Sequence, residues 1–352
     1  MLSPEYAAVW MGVTALVGFV GGYGVRALAL RVRMVDVPDG ERRTHARPVP
    51  LGGGLAAWFA CVVAFSLLRL VAPSVFSAAL WRDLAVVGVA TLPLLVVGLV
   101  DDARRLSARW LVLAALAAVG IAVAGGIRVE AVTWFGGSAR TLSTMVSVLV
   151  SSAWLLLATG ATKFSDGVDG LVVGQTIVGA ALIAGLSLST AYFQPDMALI
   201  AGLFGAAFFG VLWHNWPRAR LYLGEFGSTF SGFGLGVIAI LSGAKLAIAL
   251  AAVGVFLVDV CWVMVRRLWR GTSPFSGDRT HMHFLLQDKG WPSWAVAPLL
   301  WLVAFGFGFA ALQLQTQGKI RLLFALALLT WGASFWLQRS TAASSSGARK
   351  SR

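Results

Sequence analysis

Apolar runs long enough to cross a bilayer recur along this whole chain, and most of its acids lie in the gaps between them. Five gaps are chemically rich: Asp36–Leu51, Asp101–Arg109, Lys163–Gly170, His214–Ser228 and Arg266–Trp291. They hold all four histidines and ten of the fifteen acids. If the apolar segments alternate across a membrane, all five gaps fall on one side. A scaffold with no chemistry to perform has little reason to sort its acids in this way. The pattern constrains the chain to a bundle of spanning helices with a polar cluster at one membrane face.

Composition agrees. The chain is 58% hydrophobic and 12% charged, with a mean hydropathy of +0.81, more apolar surface than a soluble domain can bury. Spans are expected near 5–30, 53–72, 83–100, 109–126, 143–160, 171–191, 197–213, 229–244, 246–266, 293–312 and 321–338, about eleven in all. The expected fold is therefore all-α, a polytopic membrane protein of about 11 transmembrane helices with a cytoplasmic-face cleft. One membrane domain covers 1–338, and a basic tail at 339–352 is expected to be disordered. The longest rich gap, Arg266–Trp291, is too short for an independent core. The first apolar segment opens on Glu5 rather than a basic stretch, so it reads as a span and not a cleaved leader. Cys61 and Cys261 fall within spans and are expected to be free thiols.

A net charge of +13 could point to nucleic acid, but the distribution of the charge explains it better. Twenty-one of the 28 Lys and Arg lie in or beside the five gaps and the tail. By the positive-inside rule those gaps are cytoplasmic, the N-terminus is outside and the C-terminus inside. No nucleic-acid partner is implied, and some of the inner charge suits anionic head groups or phosphates.

Each gap admits a chemical and a plain reading. The first contains Arg42-Arg43-Thr-His45 and Arg47-Pro-Val-Pro50, then three glycines; clustered arginines suit phosphate, and a basic juxtamembrane linker would look the same. Adjacent Asp101 and Asp102 close a strongly apolar span. They are tolerable there if a cation sits between them or a base is needed, and Mg²⁺ fits as a hard, oxygen-loving ion (Mn²⁺ being the alternative). The plain reading pairs them with Arg104 and Arg105. Asp166-Gly-Val-Asp169-Gly170 has too much glycine for a helix and reads as an irregular turn lining a polar cavity. In the fourth gap Glu225 lies between Gly224 and Gly227, able to approach a metal–phosphate complex or merely to cap a helix. In the fifth, Asp278-Arg279-Thr-His281-Met-His283 suits phosphate binding or acid–base work better than structural zinc. Asp259, inside the preceding span, is a candidate by its depth alone. Carboxylates, a divalent cation, arginines and histidines at a lipid boundary are equipment for phosphoryl transfer on a lipid phosphate.

At this point the five gaps, in order, resemble those of the polyprenyl-phosphate N-acetylhexosamine-1-phosphate transferases. That family includes the undecaprenyl-phosphate GlcNAc-1-phosphate transferases and, more distantly, the phospho-MurNAc-pentapeptide translocases. The resemblance implies that a sugar-1-phosphate passes from a UDP-sugar to undecaprenyl phosphate in the bacterial cytoplasmic membrane, with release of UMP and a requirement for Mg²⁺. It implies that initiation of cell-envelope polysaccharide synthesis is the process served. It implies catalytic roles for Asp101, Asp102, Asp166, Asp169 and His281. Substrate binding would fall to Arg43, His45, Arg47, Lys163, Asn215, Arg279 and His283, and metal binding to Glu225 with Asp101 and Asp102. A homodimer is left open. The chain departs from the family pattern at Lys163 (usually Asn), Glu225 (usually Asp) and Phe284 (usually His). The first two changes are expected to compensate each other within the site. A transporter or flippase, and a catalytically silent relative, are the rival readings.

Overall fold

A computed structural model describes residues 3–38, 47–133, 139–190, 192–243, 246–272 and 280–350. Every expected span is a helix. The order is α1 (Pro4–Arg31), β1 (Val35–Asp36), β2 (Val49–Pro50), α2 (Gly53–Val71), α3 (Ala78–Arg104), α4 (Ala108–Ala124), β3 (Ala131–Thr133), β4 (Ala139–Thr141), α5 (Thr144–Ser165), α6 (Leu171–Leu188), α7 (Pro195–Asn215), α8 (Gly224–Leu241), α9 (Leu246–Trp269), α10 (Met282–Asp288), α11 (Ser293–Gln313) and α12 (Thr316–Lys350). The stretch 339–350, where a disordered tail was expected, continues the backbone of α12.

Local sequence explains the boundaries. Ser3 and Ser77 accept backbone N–H bonds at the starts of α1 and α3, and Pro4 and Pro195 occupy first-turn positions where no N–H is missed. Gly52 and Gly170 adopt φ of +111° and +76° immediately before α2 and α6. Among the described residues, nine helices are long and apolar enough to cross a membrane, against the eleven expected. The two others are α4, whose 17 residues reach only about 25 Å, and α9, whose first turns lie outside the fully described residues.

The helices pack around α8, which is the most buried of the nine and also the least hydropathic. Helix association in lipid rests on close packing and interhelical hydrogen bonds rather than on hydrophobicity, and α8 supplies both. Gly232 lies so close to α5 that a methyl group there would sit 2.2 Å from the Ala158 carbonyl oxygen. Thr162 Oγ1 donates to Ser228 O at 2.7 Å, Trp154 Nε1 donates to Gly236 O at 3.0 Å, and the Thr176 and Ser231 hydroxyls bond each other. Where α2 and α8 begin, Gly54 and Gly227 touch backbone to backbone. The Gly53 and Gly54 N–H groups donate to Tyr222 O and Leu223 O at 2.8 and 2.9 Å, and Tyr222 N–H donates to Pro50 O at 2.8 Å. The first and fourth gaps are thereby laced together.

A methyl group on Gly54 would stand 1.9 Å from Gly227 Cα, with only backbone to move. Gly54→Ala is expected to destabilise the protein by about 1–3 kcal/mol or to prevent its accumulation. Gly12→Ala, on α1 with nothing within 4 Å, should be neutral or slightly stabilising. Thermal unfolding of the two variants in detergent checks the contrast.

Candidate active site

All five gaps contribute to a single cavity of about 1420 Å³ at one end of the bundle. Its walls carry six carboxylates (Asp36, Asp101, Asp102, Asp166, Asp169, Glu225) and six cations (Arg26, Arg47, Arg105, Lys163, Arg218, Arg220). The fifth gap enters through Phe284 and Gln287 rather than through its histidines.

The centre is built where α3 ends and α8 begins. Gly224 takes a φ of +79°, and a Cβ there would lie 2.4 Å from Asp102 Oδ2. The residue is glycine for both reasons. It lets the Glu225 N–H reach Asp102 Oδ1 at 2.9 Å, so a carboxylate of one helix caps the N-terminus of another. The other oxygen, Asp102 Oδ2, is buried without a hydrogen-bond partner among the described residues. A carboxylate oxygen in that condition is costly to keep unless a ligand completes it. Asp101 lies one residue earlier, half-buried; its Oδ1 accepts the Leu106 N–H at 2.7 Å and closes the turn after α3.

Lys163, in the last turn of α5, forms an ion pair with Glu225, so the two departures from the family pattern are in contact. Three residues on, Asp166 ends α5. Burial raises its pKa most, and the charges of Glu225 and Asp169 raise it further, to about 7. Asp169 Oδ2 accepts the Ala219 N–H at 3.1 Å. Asn215 bridges the same two gaps: Gly170 N–H donates to its Oδ1 at 3.0 Å and its Nδ2 donates to Leu221 O at 3.1 Å. Expected to bind substrate, Asn215 has both ends of its amide engaged with backbone. It ties the third and fourth gaps together where it lines the cavity.

Two of the histidines lie behind the cavity wall, not on it. His281, expected to be catalytic, is buried, does not line the cavity, and bonds Asp259 Oδ2 through Nδ1 at 2.8 Å. The other oxygen of Asp259 accepts the Met282 N–H at 3.0 Å and the Ser334 hydroxyl at 3.3 Å. The intramembrane acid thus anchors the start of α10. His283, expected to bind substrate, is buried as well; its ring stacks on His281 with centroids 5.7 Å apart and packs against Gly167. His214 is structural, its Nε2 donating to Phe19 O at 2.8 Å. Arg47 lines the cavity as expected, whereas Arg43, His45 and Arg279 lie outside the described residues.

Several cavity residues were not singled out in the sequence. Arg26 sits near the end of an apolar span, its Nε donating to Arg220 O at 3.3 Å, and Asp36 lies 3.9 Å from the Arg105 guanidinium. The signal was present for the arginines, as part of the inner positive charge, but not the distinction between membrane anchors and cavity walls.

Comparison with known proteins places this geometry among relatives. Residues 84–243 match the model of the family described as glycosyl transferase family 4. The chain is 28% identical to the decaprenyl-phosphate N-acetylglucosaminephosphotransferase of Mycolicibacterium smegmatis, over 92% of this chain and 86% of that protein. It is 30% identical to the undecaprenyl-phosphate alpha-N-acetylglucosaminyl 1-phosphate transferase of Escherichia coli, over 79% and 76%. A phospho-N-acetylmuramoyl-pentapeptide-transferase of a Geobacter species is 28% identical, over 85% and 92%.

Two expectations follow from the site. Removing one partner of the Lys163–Glu225 pair leaves the other a partly buried, uncompensated charge, so Lys163→Met or Glu225→Gln should each cost about 1–3 kcal/mol. The double variant should recover most of that loss in thermal unfolding, and simple additivity would refute the coupling. The second concerns pH. Asp166 has a folded pKa near 7 against 3.8 for the free group, so it binds its proton more tightly in the folded state. The stability of the ligand-free protein should therefore fall as pH rises from about 4 to 7. Asp166→Asn should flatten that slope and be more stable than the parent above pH 7, by about 1–3 kcal/mol.

Proposed function

The chain belongs to glycosyl transferase family 4, and from that premise we propose that it transfers an N-acetylhexosamine-1-phosphate from a UDP-sugar to undecaprenyl phosphate, releasing UMP. The observation that carries the reading is the convergence of all five polar gaps on one cavity at the end of a membrane-spanning bundle. A reaction between a water-soluble nucleotide and a lipid head group needs such a place. Two of the relatives' names give a polyprenyl phosphate together with N-acetylglucosamine. The cavity is taken to be cytoplasmic, with the N-terminus outside, on the charge asymmetry of the sequence.

In the reaction an oxygen of the lipid phosphate attacks the β-phosphorus of the nucleotide sugar. A new P–O bond forms, the bond from that phosphorus to the bridging oxygen breaks in line, and the electron pair leaves with UMP. The lipid phosphate is largely dianionic at neutral pH, its second pKa being near 6, so a general base is of minor value. Arg26, Arg47, Arg218 and Arg220 offer fixed positive charge to the phosphates along the cavity wall. Lys163, already beside Glu225, can turn its ammonium toward the transferring group.

The residues present fit a divalent cation that the substrate completes. Among the described residues no three acid, histidine or cysteine side chains converge as a ready-made cage. Mg²⁺ ordinarily takes one or two carboxylates and fills its remaining positions with phosphate and water. Asp102, with its unpartnered buried oxygen, and Glu225, behind Lys163, would hold it, with Asp101 adjacent. When bound, the ion would neutralise charge on the pyrophosphate and the leaving group. The rival reading of a transporter loses its main support, since Asp259 is tied to His281 within the protein.

Purified protein given UDP-N-acetylglucosamine, undecaprenyl phosphate and Mg²⁺ should release UMP, and chelation should stop it. Asp102→Asn should lose at least about 10²-fold in rate. No UMP from any of a panel of UDP-sugars would overturn the assignment in favour of a silent relative.

A further inference from the structure

A second cavity, of about 560 Å³, lies in the opposite half of the bundle and plays no part in the chemistry above. It opens between α2 and α3 and is backed by Phe204 of α7 and by α8 from Phe230 to Leu241. Its lining is almost wholly apolar. The polar groups near its floor are spent on each other: Trp58 Nε1 donates to Thr91 Oγ1 at 3.0 Å, and that hydroxyl donates to Gly88 O at 2.7 Å. Phe226, fully buried and stacked on Phe230 with centroids 5.4 Å apart, stands on α8 between the start of this cleft and the catalytic residues.

Two observations identify an occupant. The first is length. Eleven residues of α8 separate Phe230 from Leu241, about 16 Å of helix, close to half of the roughly 30 Å hydrocarbon thickness. The cleft is therefore one leaflet deep. The second is charge at the mouth. Arg69, near the end of α2, stands 5.3 Å over the Trp81 ring, and Trp81 is itself pinned by a 2.8 Å hydrogen bond from Nε1 to Pro73 O. Among the described residues Arg69 has no carboxylate partner, whereas the neighbouring Arg82 is paired with Asp83 at 3.0 Å. A fixed guanidinium over an aromatic ring, at the rim of a leaflet-deep apolar cleft, is complementary to a phosphate above an acyl chain.

We infer that this cleft binds one acyl chain of an anionic glycerophospholipid from the leaflet opposite the catalytic cavity, with the lipid phosphate held by Arg69. Val62 and Leu70, both exposed on α2, border the opening through which the chain would enter.

The test uses the full chain in detergent, equilibrated with equimolar phosphatidylglycerol and phosphatidylcholine and examined by native mass spectrometry. The parent should retain one lipid with about fivefold preference for phosphatidylglycerol, the scale of one arginine beside an anionic head group. Arg69→Gln, an exposed substitution, should keep one lipid and lose the preference. Gly88 lines the cleft with nothing within 4 Å of a built Cβ, so Gly88→Phe should fill the space and retain no lipid; Ala85→Phe is the second plug should the first fail to fold. Equal retention of the two lipids by the parent, or an unchanged lipid count in both plugged variants, would overturn the inference. Displacement of phosphatidylglycerol by equimolar undecaprenyl phosphate would overturn it as well, reassigning the cleft to a polyprenyl tail.

Discussion

The hydrogen bond from Glu225 N–H to Asp102 Oδ1 organises this molecule. It joins the end of α3 to the start of α8, two elements 123 residues apart, at the hydrocarbon boundary. It exists because Gly224 can adopt a left-handed conformation and because a residue with a Cβ could not lie against Asp102 Oδ2. One carboxylate oxygen is used to terminate a helix and the other is left facing the cavity without a described partner. Structural and chemical demands thus fall on the same side chain. The backbone contact between Gly54 and Gly227 then fixes α2 against the same helix end, so three helix termini meet within the site.

Around that point the gaps are fastened by hydrogen bonds between side chains and backbone. Asn215 ties the third gap to the fourth, Asp169 does so again through Ala219, and Asp259 fastens His281 and the start of α10. Asn215 and Asp169 also line the cavity, beside Asp101, Asp102, Asp166, the wall cations and the Lys163–Glu225 pair. Ties of this kind satisfy the polar groups of irregular backbone at membrane depth.

Much of this was legible in the sequence, for identifiable reasons. Hydropathy and the clustering of acids depend only on local composition, so the helices and the common face of the gaps could be read directly. The pairing of Lys163 with Glu225 was legible as two departures from one family pattern that make sense together. The partners of Asn215, His281 and His283 were not. A histidine spaced two residues from another in a polar gap looks the same whether it faces a cavity or a buried aspartate, and only the packing of α9 against α10 decides. Arg26 was hidden differently: an arginine at the end of an apolar span reads as an interfacial anchor, and its place in the cavity depends on how α1 leans toward the fourth gap. Of the eleven expected spans, α4 is a shorter apolar helix and α9 is described only in part, so nine are seen at full length among the described residues.

The described wall residues set six acids against six cations, yet burial pushes the Asp166 carboxyl up to about 7, so near neutral pH the chamber is on balance positive. A polyanionic nucleotide is drawn toward such a wall, and the pull weakens as Asp166 loses its proton at higher pH. Salt screens that pull beyond a Debye length, so contact with particular groups still decides which anion stays.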